Sequence, residues 1–368
     1  MKNHLKTKIT GCLIGFLVVM NSCQKDNTYY SADDFGKVPK IDVHFHYFSM
    51  DARYMDYFNS VNFKVLSPNV DSGYPIDEQL RISHEIFQVH PETFAYLGTF
   101  SVEKFGQPDF ASSTIERINE CMEKGASGIK IWKNIGMELK DQNGRYVMAD
   151  DPEFELVFKY LEINNIPLLA HLGEPRNCWL PEDEMTDPGD RSYYKNHPQY
   201  HMYLHPEMPS YEDQINARDN VLERYPNLVV IGAHLGSLEW NVNELAKRLD
   251  EFPMFKVDMS ARIGHLKNQS VEDWDRVRNF MIRYQDRLLY GTDLAVGDES
   301  GQDFDSARER IHNRWMNHWM YLATDNTTDG VKGLMLPKAV IDKIYFTNAD
   351  FFSVKSNRWE IKKFTESK

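Results

Sequence analysis

From Ile41 to Asp293 the chain alternates short apolar runs with longer amphipathic stretches, and this rhythm limits the fold more than any other feature. The runs are Ile41–Phe45, Asn62–Leu66, Phe94–Phe100, Gly128–Trp132, Ile166–Ala170, Leu228–Ala233, Phe255–Met259 and Leu288–Gly291. Helical patterns follow most of them, at Asp77–Val89, Ser113–Lys124, Pro152–Asn164, Glu212–Arg224, Leu238–Asp250 and Val271–Tyr284. Runs such as IPLLA and LVVIGA are apolar throughout, as parallel strands covered on both faces are. Strand and helix alternating over this length predict an α/β fold, a (β/α)8 TIM barrel. The competing fold is a doubly wound open sheet, but no Gly-rich phosphate loop follows the first strand. Two stretches break the rhythm. Glu174–Tyr211 reads as a long loop after the fifth strand, the length of a lid or binding wall. Beyond Asp293, helical patterns at Phe304–Thr324 and Pro337–Phe346, then Asn348–Phe352, read as a C-terminal helical extension.

Composition narrows the class. The 368 residues are 42% hydrophobic, with 7 Trp, 19 Tyr and 21 Phe, which excludes a disordered chain. Four Cys are too few for a disulfide scaffold. A net charge of −13 argues against nucleic acid as a partner, since a binder needs a basic stripe to displace phosphate counterions.

The N-terminus reads as an export signal. Lys2, Lys6 and Lys8 precede the apolar run Ile9–Met20, which is too short for a comfortable membrane span. Asn21-Ser22-Cys23 resembles a bacterial lipoprotein cleavage site. The expectation is a signal peptide over 1–22, lipidation of Cys23, a polar tether over 23–40, and one barrel with C-terminal helices over 41–368. Removing three lysines and no acid makes the mature chain more acidic still. It would sit in the cell envelope on the outer membrane, periplasmic or surface side, with the membrane as partner through its lipid. A second copy of the chain is left open as a partner. Cys121 and Cys178 remain, either free or paired.

The polar residues at strand ends carry the chemistry. His44 and His46 lie two apart on a strand, so both imidazoles share one face. His171 ends the fifth strand, His234 the sixth, and Asp293 follows the eighth. In a parallel barrel these ends meet at one face, where active sites sit. Four imidazoles and a carboxylate converging there suit a borderline dication such as Zn²⁺. A weak repeat, Ala170-His171-Leu172-Gly173 and Ala233-His234-Leu235-Gly236, marks two equivalent strand ends. Elsewhere, His197, His201 and His205 are spaced by four, but Pro198 and Pro206 break the helix that would align them.

The segments IDVHFHYF, IPLLAHLGEP, VVIGAHLGSLEW and LLYGTDLA, with YFTNADFF near the C-terminus, resemble the amidohydrolase superfamily. They are most similar to amidohydrolase family 2, the branch of lactonases and decarboxylases typified by aminocarboxymuconate-semialdehyde decarboxylase. The resemblance implies that His44, His46, His171 and Asp293 hold a divalent metal. It makes Asp293 and His234 the catalytic pair. One Zn is expected, with Mn or Fe as alternatives. A lysine on the fourth strand is carboxylated in two-metal members, and Lys130 stands there in GIKIWK; two metals bridged by it is the less favoured reading. Lys130, Trp132, Glu174, Arg176, Trp179 and Arg262 are candidate contacts to a small-molecule substrate, the arginines because they clamp carboxylates. The function expected is hydrolysis of a lactone, ester or amide-type bond by metal-activated water. The alternatives are a non-oxidative decarboxylase of an unsaturated or aromatic acid, and a catalytically inactive binding lipoprotein.

Overall fold

The computed structural model describes residues 28–297, 301 and 303–352. The expected signal peptide and Cys23 lie outside them. Eight parallel strands form one sheet: β1 Lys40–Asp42, β2 Phe63–Pro68, β3 Phe94–Thr99, β4 Ile129–Ile131, β5 Leu168–Ala170, β6 Val230–Gly232, β7 Phe255–Asp258 and β8 Leu288–Leu289. Each pairs with the next in sequence order, the topology of a barrel and not of a doubly wound sheet. The seam closes just past the ends of β1 and β8. Val43 N–H donates to Tyr290 O at 3.0 Å, and Asp293 N–H donates to His44 O at 2.7 Å. Two extension strands, Phe45–Phe48 and Leu294–Gly297, then pair in parallel above that break.

Side chains that point into the barrel form their own layer: Ile41, Val43, Leu66, Leu97, Leu169, Ile231 and Leu289 are all buried. A larger apolar cluster fills the space between the sheet and the helices. The C-terminal helices Phe304–Ala323 and Lys338–Tyr345 belong to it, with Trp315 stacked on Phe63 at 3.8 Å between ring centres.

Several elements differ from the sequence reading. A helix at Ala52–Ser60 follows the first extension strand, capped by Asp51 and burying Tyr54, Met55 and Phe58. The expected helix Val271–Tyr284 is two helices, Ile263–Glu272 and Trp274–Arg283. Asp273 separates them, its carboxylate accepting from Arg276 N–H at 2.9 Å. The long segment after β5 is not all loop, because Pro188–Asn196 is helical and capped by Asp187. The described part of the expected tether is packed instead of free. Phe35 is buried, Trp319 Nε1–H donates to Ser31 O at 3.0 Å, and Tyr30 donates its hydroxyl proton to Asp342 at 2.8 Å. A polar stretch reads as a tether from composition, but its few aromatics are enough to dock it. Cys121 and Cys178 are both buried and free.

Candidate metal centre

The break in strands one and eight positions two of the expected ligands. His44 lies between β1 and its extension, and Asp293 between β8 and its extension, with a left-handed backbone (φ +64°). Asp42 ties the seam together. It accepts from Thr292 N–H at 3.0 Å, Thr292 Oγ1–H at 2.6 Å and Trp315 Nε1–H at 2.9 Å.

Three imidazoles converge on the Asp293 carboxylate. Nε2 of His44 and of His46 lie 3.4 and 3.3 Å from Oδ1, and Nε2 of His234 lies 4.0 Å from Oδ2. Among the described residues, His44, His46 and Asp293 form a group close enough to hold one ion. His171 packs its ring on His234 at 4.3 Å, and its buried Nε2 has no hydrogen-bond partner.

Behind these groups lies Asp258, which the sequence reading did not single out. One carboxylate oxygen accepts from His44 Nδ1–H at 2.9 Å. The other accepts from the backbone N–H of His234 at 2.9 Å and of Ser260 at 3.0 Å, and from the Ser260 hydroxyl. Burial opposes the charge on Asp258, but these donors outweigh it and hold its pKa below the usual carboxylate range. His44 is kept neutral by burial and by the neighbouring Lys130 cation. With its proton on Nδ1, His44 presents Nε2 as a lone pair. His234 is set the same way, Nδ1–H donating to Ser260 O at 2.9 Å, and burial pushes its pKa down to about 3. Lone pairs facing a carboxylate repel it unless a cation lies among them, so this donor set fits a divalent ion.

The backbone here is unusual. His234, Leu235, Gly236 and Ser237 all have φ between +56° and +61°, four left-handed residues in succession. Such strain persists only where the surroundings impose it, and it gathers at functional sites. A Cβ on Gly236 would meet the Phe255 ring at 2.9 Å, so the turn requires glycine there.

Lys130 is buried, its Nζ 3.4 Å from His44 Nε2, and burial pushes its pKa down to about 8. Glu174 lies 4.0 Å from His171 Nε2 and forms an ion pair with Lys133. Trp132 is half-buried under Lys133. Arg262 is buried close to His234 and lowers its pKa. Arg176 instead stacks on Trp240 at 4.3 Å, and Trp179 donates to Pro209 O at 3.1 Å, both within the wall formed by the long segment. His197, His201 and His205 are not gathered; one ring nitrogen of each pairs with a different backbone carbonyl. On the other side, Phe48 stacks on His46 and joins Met50, Val70, Tyr74 and Ile82 around a cavity of about 450 Å³.

A closed parallel barrel with imidazoles and a carboxylate at its C-terminal strand ends is the architecture of a metal-dependent barrel enzyme. Residues 104–350 match the amidohydrolase family, and the chain belongs to it. The match includes His171, His234 and Asp293 and begins after His44 and His46. Among solved structures, an uncharacterised TIM-barrel protein from Bordetella bronchiseptica is similar over 86% of this chain and 98% of its own, with 13% identity and a TM-score of 0.54. It shares the fold. 5-Carboxyvanillate decarboxylase from Novosphingobium aromaticivorans, solved with manganese, is 16% identical over 87% and 99% of the two chains, with a TM-score of 0.44. 4-Oxalomesaconate hydratase from Rhodopseudomonas palustris is 12% identical over 85% and 95%, with a TM-score of 0.45. No curated protein matches the chain.

Proposed function

We propose that this chain is a metal-dependent hydrolase acting on a lactone, ester or amide-type bond of a small molecule. The observation that carries this is the convergence of the His44, His46 and His234 Nε2 atoms on Asp293, beside the unpartnered Nε2 of His171. His44, His46, His171 and Asp293 would hold one ion, Zn²⁺ by the donor set, with Mn²⁺ or Fe²⁺ also suited. When bound, the ion supplies Lewis acidity toward water and toward the carbonyl of the substrate. Asp293 takes the proton of the attacking water and passes it to the leaving group. His234, its Nδ1–H committed to Ser260, offers Nε2 as an acceptor that orients that water. Lys130 stays uncarboxylated in this reading and contributes an ammonium cation beside the site.

A decarboxylase would need a substrate carboxylate next to that cation, so one assay separates the two reactions. Purified mature protein, loaded with Zn²⁺ or Mn²⁺, is screened for acid release and for CO2 release. Acid release that disappears on chelation supports hydrolysis. CO2 as the main product, or turnover by no substrate and no metal, overturns it, the last outcome favouring a binding protein. We also propose export and lipidation at Cys23, supported by the Lys-rich start and apolar run. A Cys23→Ala chain that still fractionates with membranes would refute the anchor.

A further inference from the structure

A second polar cluster lies beside the metal centre, and the proposed reaction does not use it. Three buried side-chain atoms there have no hydrogen-bond partner: Arg262 Nε, Glu239 Oε2 and His265 Nδ1. Arg262, Glu239 and His265 are 9%, 1% and 6% exposed. Other polar atoms of the three side chains are paired. Arg262 Nη1–H donates to Ala261 O at 3.0 Å, and Glu239 Oε1 accepts from Arg176 N–H at 2.9 Å. His265 Nε2–H donates to Asp190 Oδ2 at 2.9 Å, which leaves Nδ1 as a lone pair. Asp190 is held by Asn177 at 2.9 Å, and Asp187 beside it by Asn268 at 2.7 Å, so the roof of the cluster is pinned down.

The three side chains are neighbours. Arg262 caps the helix Ile263–Glu272 that carries His265, and Gln269 Nε2–H on that helix donates to Glu239 O at 2.7 Å and to His265 O at 3.4 Å. Arg262 lies two residues past Ser260, whose backbone oxygen accepts from His234 Nδ1–H at 2.9 Å, which places the cluster next to the reaction centre. A buried polar atom without a partner is costly, so three together mark a place whose partner comes from outside the chain.

We propose that Arg262, Glu239 and His265 form a subsite for an uncharged, hydroxyl-bearing part of the substrate. Arg262 Nε–H can only donate, while the His265 Nδ1 lone pair and an ionised Glu239 Oε2 accept. A hydroxyl does both. A carboxylate has no proton to give, and here it would meet the carboxylates of Glu239, Asp190 and Glu174, which already act on Arg262. Burial pushes the Glu239 carboxyl up, and a hydroxyl serves it whether it is protonated or not. Arg262 thus reads as a selector for neutral polar substrates instead of a carboxylate clamp. The inference rests on the hydrolase reading only in placing the substrate beside His234.

The test is saturation-transfer NMR on the metal-loaded mature protein, with erythritol as an uncharged polyol probe and succinate as a dicarboxylate of equal chain length. Erythritol is expected to bind, at least about tenfold more weakly to Arg262→Met and to Glu239→Gln, and succinate is expected not to bind. Melting curves establish that each variant is folded, and crystals soaked with erythritol give an independent reading. Succinate binding in place of erythritol overturns the subsite. So does erythritol binding that both variants leave unchanged, or a soaked crystal with only ordered waters at the three atoms. Binding needs no turnover, so the two readings fail separately. A chain that binds erythritol and hydrolyses nothing keeps the subsite and loses the hydrolase, whereas CO2 release with succinate binding discards both.

Discussion

Each end of the barrel buries a lysine. Lys40 begins β1 at the end away from the metal centre, and Lys130 lies on β4 at the mouth; both are fully buried. Burial depresses both, to about 7 and about 8. Their partners differ. Lys40 Nζ donates to three carbonyls, those of Phe35, Val38 at 2.5 Å and Val61 at 3.0 Å, within the rings of Phe35, Phe63 and Trp319. It joins the N-terminal segment to the barrel floor. Lys130 meets the His44 lone pair and the charges of Asp258 and Asp293. The same buried cation serves stability where its acceptors are backbone, and chemistry where they are groups that can also hold a metal or move a proton.

The largest effect should come from the mouth. Asp293→Asn keeps the size of the side chain but removes the proton acceptor and a ligand, so turnover should fall by about 10³-fold or more with melting nearly unchanged. Activity within tenfold of wild type would move the chemistry away from Asp293. The floor should respond in the opposite way. Lys40→Met leaves three buried carbonyls without a donor, a loss of about 3 kcal/mol in urea unfolding, with metal content unaffected. Lys130→Met removes a buried charge that donates to no carbonyl in its cage, so stability should stay within about 1 kcal/mol while turnover drops. Equal destabilisation by the two changes would erase the distinction.

A smaller effect sharpens how the mouth is organised. Asp258→Asn loses the acceptor that fixes the His44 tautomer and the turn at His234, so metal affinity should weaken by about 10- to 100-fold, read by competition with a chelator. Unchanged affinity would make Asp258 a purely structural residue.

Asp258 also shows where sequence reading stopped. The eight strands and the His and Asp at their ends were legible, because apolar runs and strand-end polar residues are local patterns. The two Ala-His-Leu-Gly turns looked equivalent, yet they fold differently. His171 N–H continues the strand ladder to Ile131 O, while His234 N–H turns to Asp258 in a left-handed run. Nothing within the four residues could reveal that, since the partner lies on the next strand. The helix Ala52–Ser60 was missed because its buried positions, 54, 55 and 58, make only a short stripe. The role of Glu239 was hidden because a carboxylate in a turn reads as solvated until its burial is seen.

The smallest expected effect concerns pH at the floor, and its sign decides what Lys40 is. Its pKa is about 7 in the fold against 10.5 in a solvated chain. Below pH 7 both states hold the proton, so Lys40 adds no pH dependence. Between about pH 7 and 10.5 the unfolded chain holds it and the folded chain releases it. The unfolded state then binds more protons, and stability rises with pH, by at most about 1.4 kcal/mol per unit. Asp42, which burial pushes up to about 7, acts lower on the scale and in the other direction: from about pH 4 to 7 the folded state holds the extra proton, and stability falls as pH rises. The difference between wild type and Lys40→Met, from urea unfolding at pH 6.5, 8 and 9.5, therefore isolates Lys40 and should widen with pH. A flat difference would mean that the three carbonyls and the aromatic rings keep the ammonium charged throughout. The floor lysine would then be a permanent cation, and only the lysine at the mouth could change its charge near neutrality.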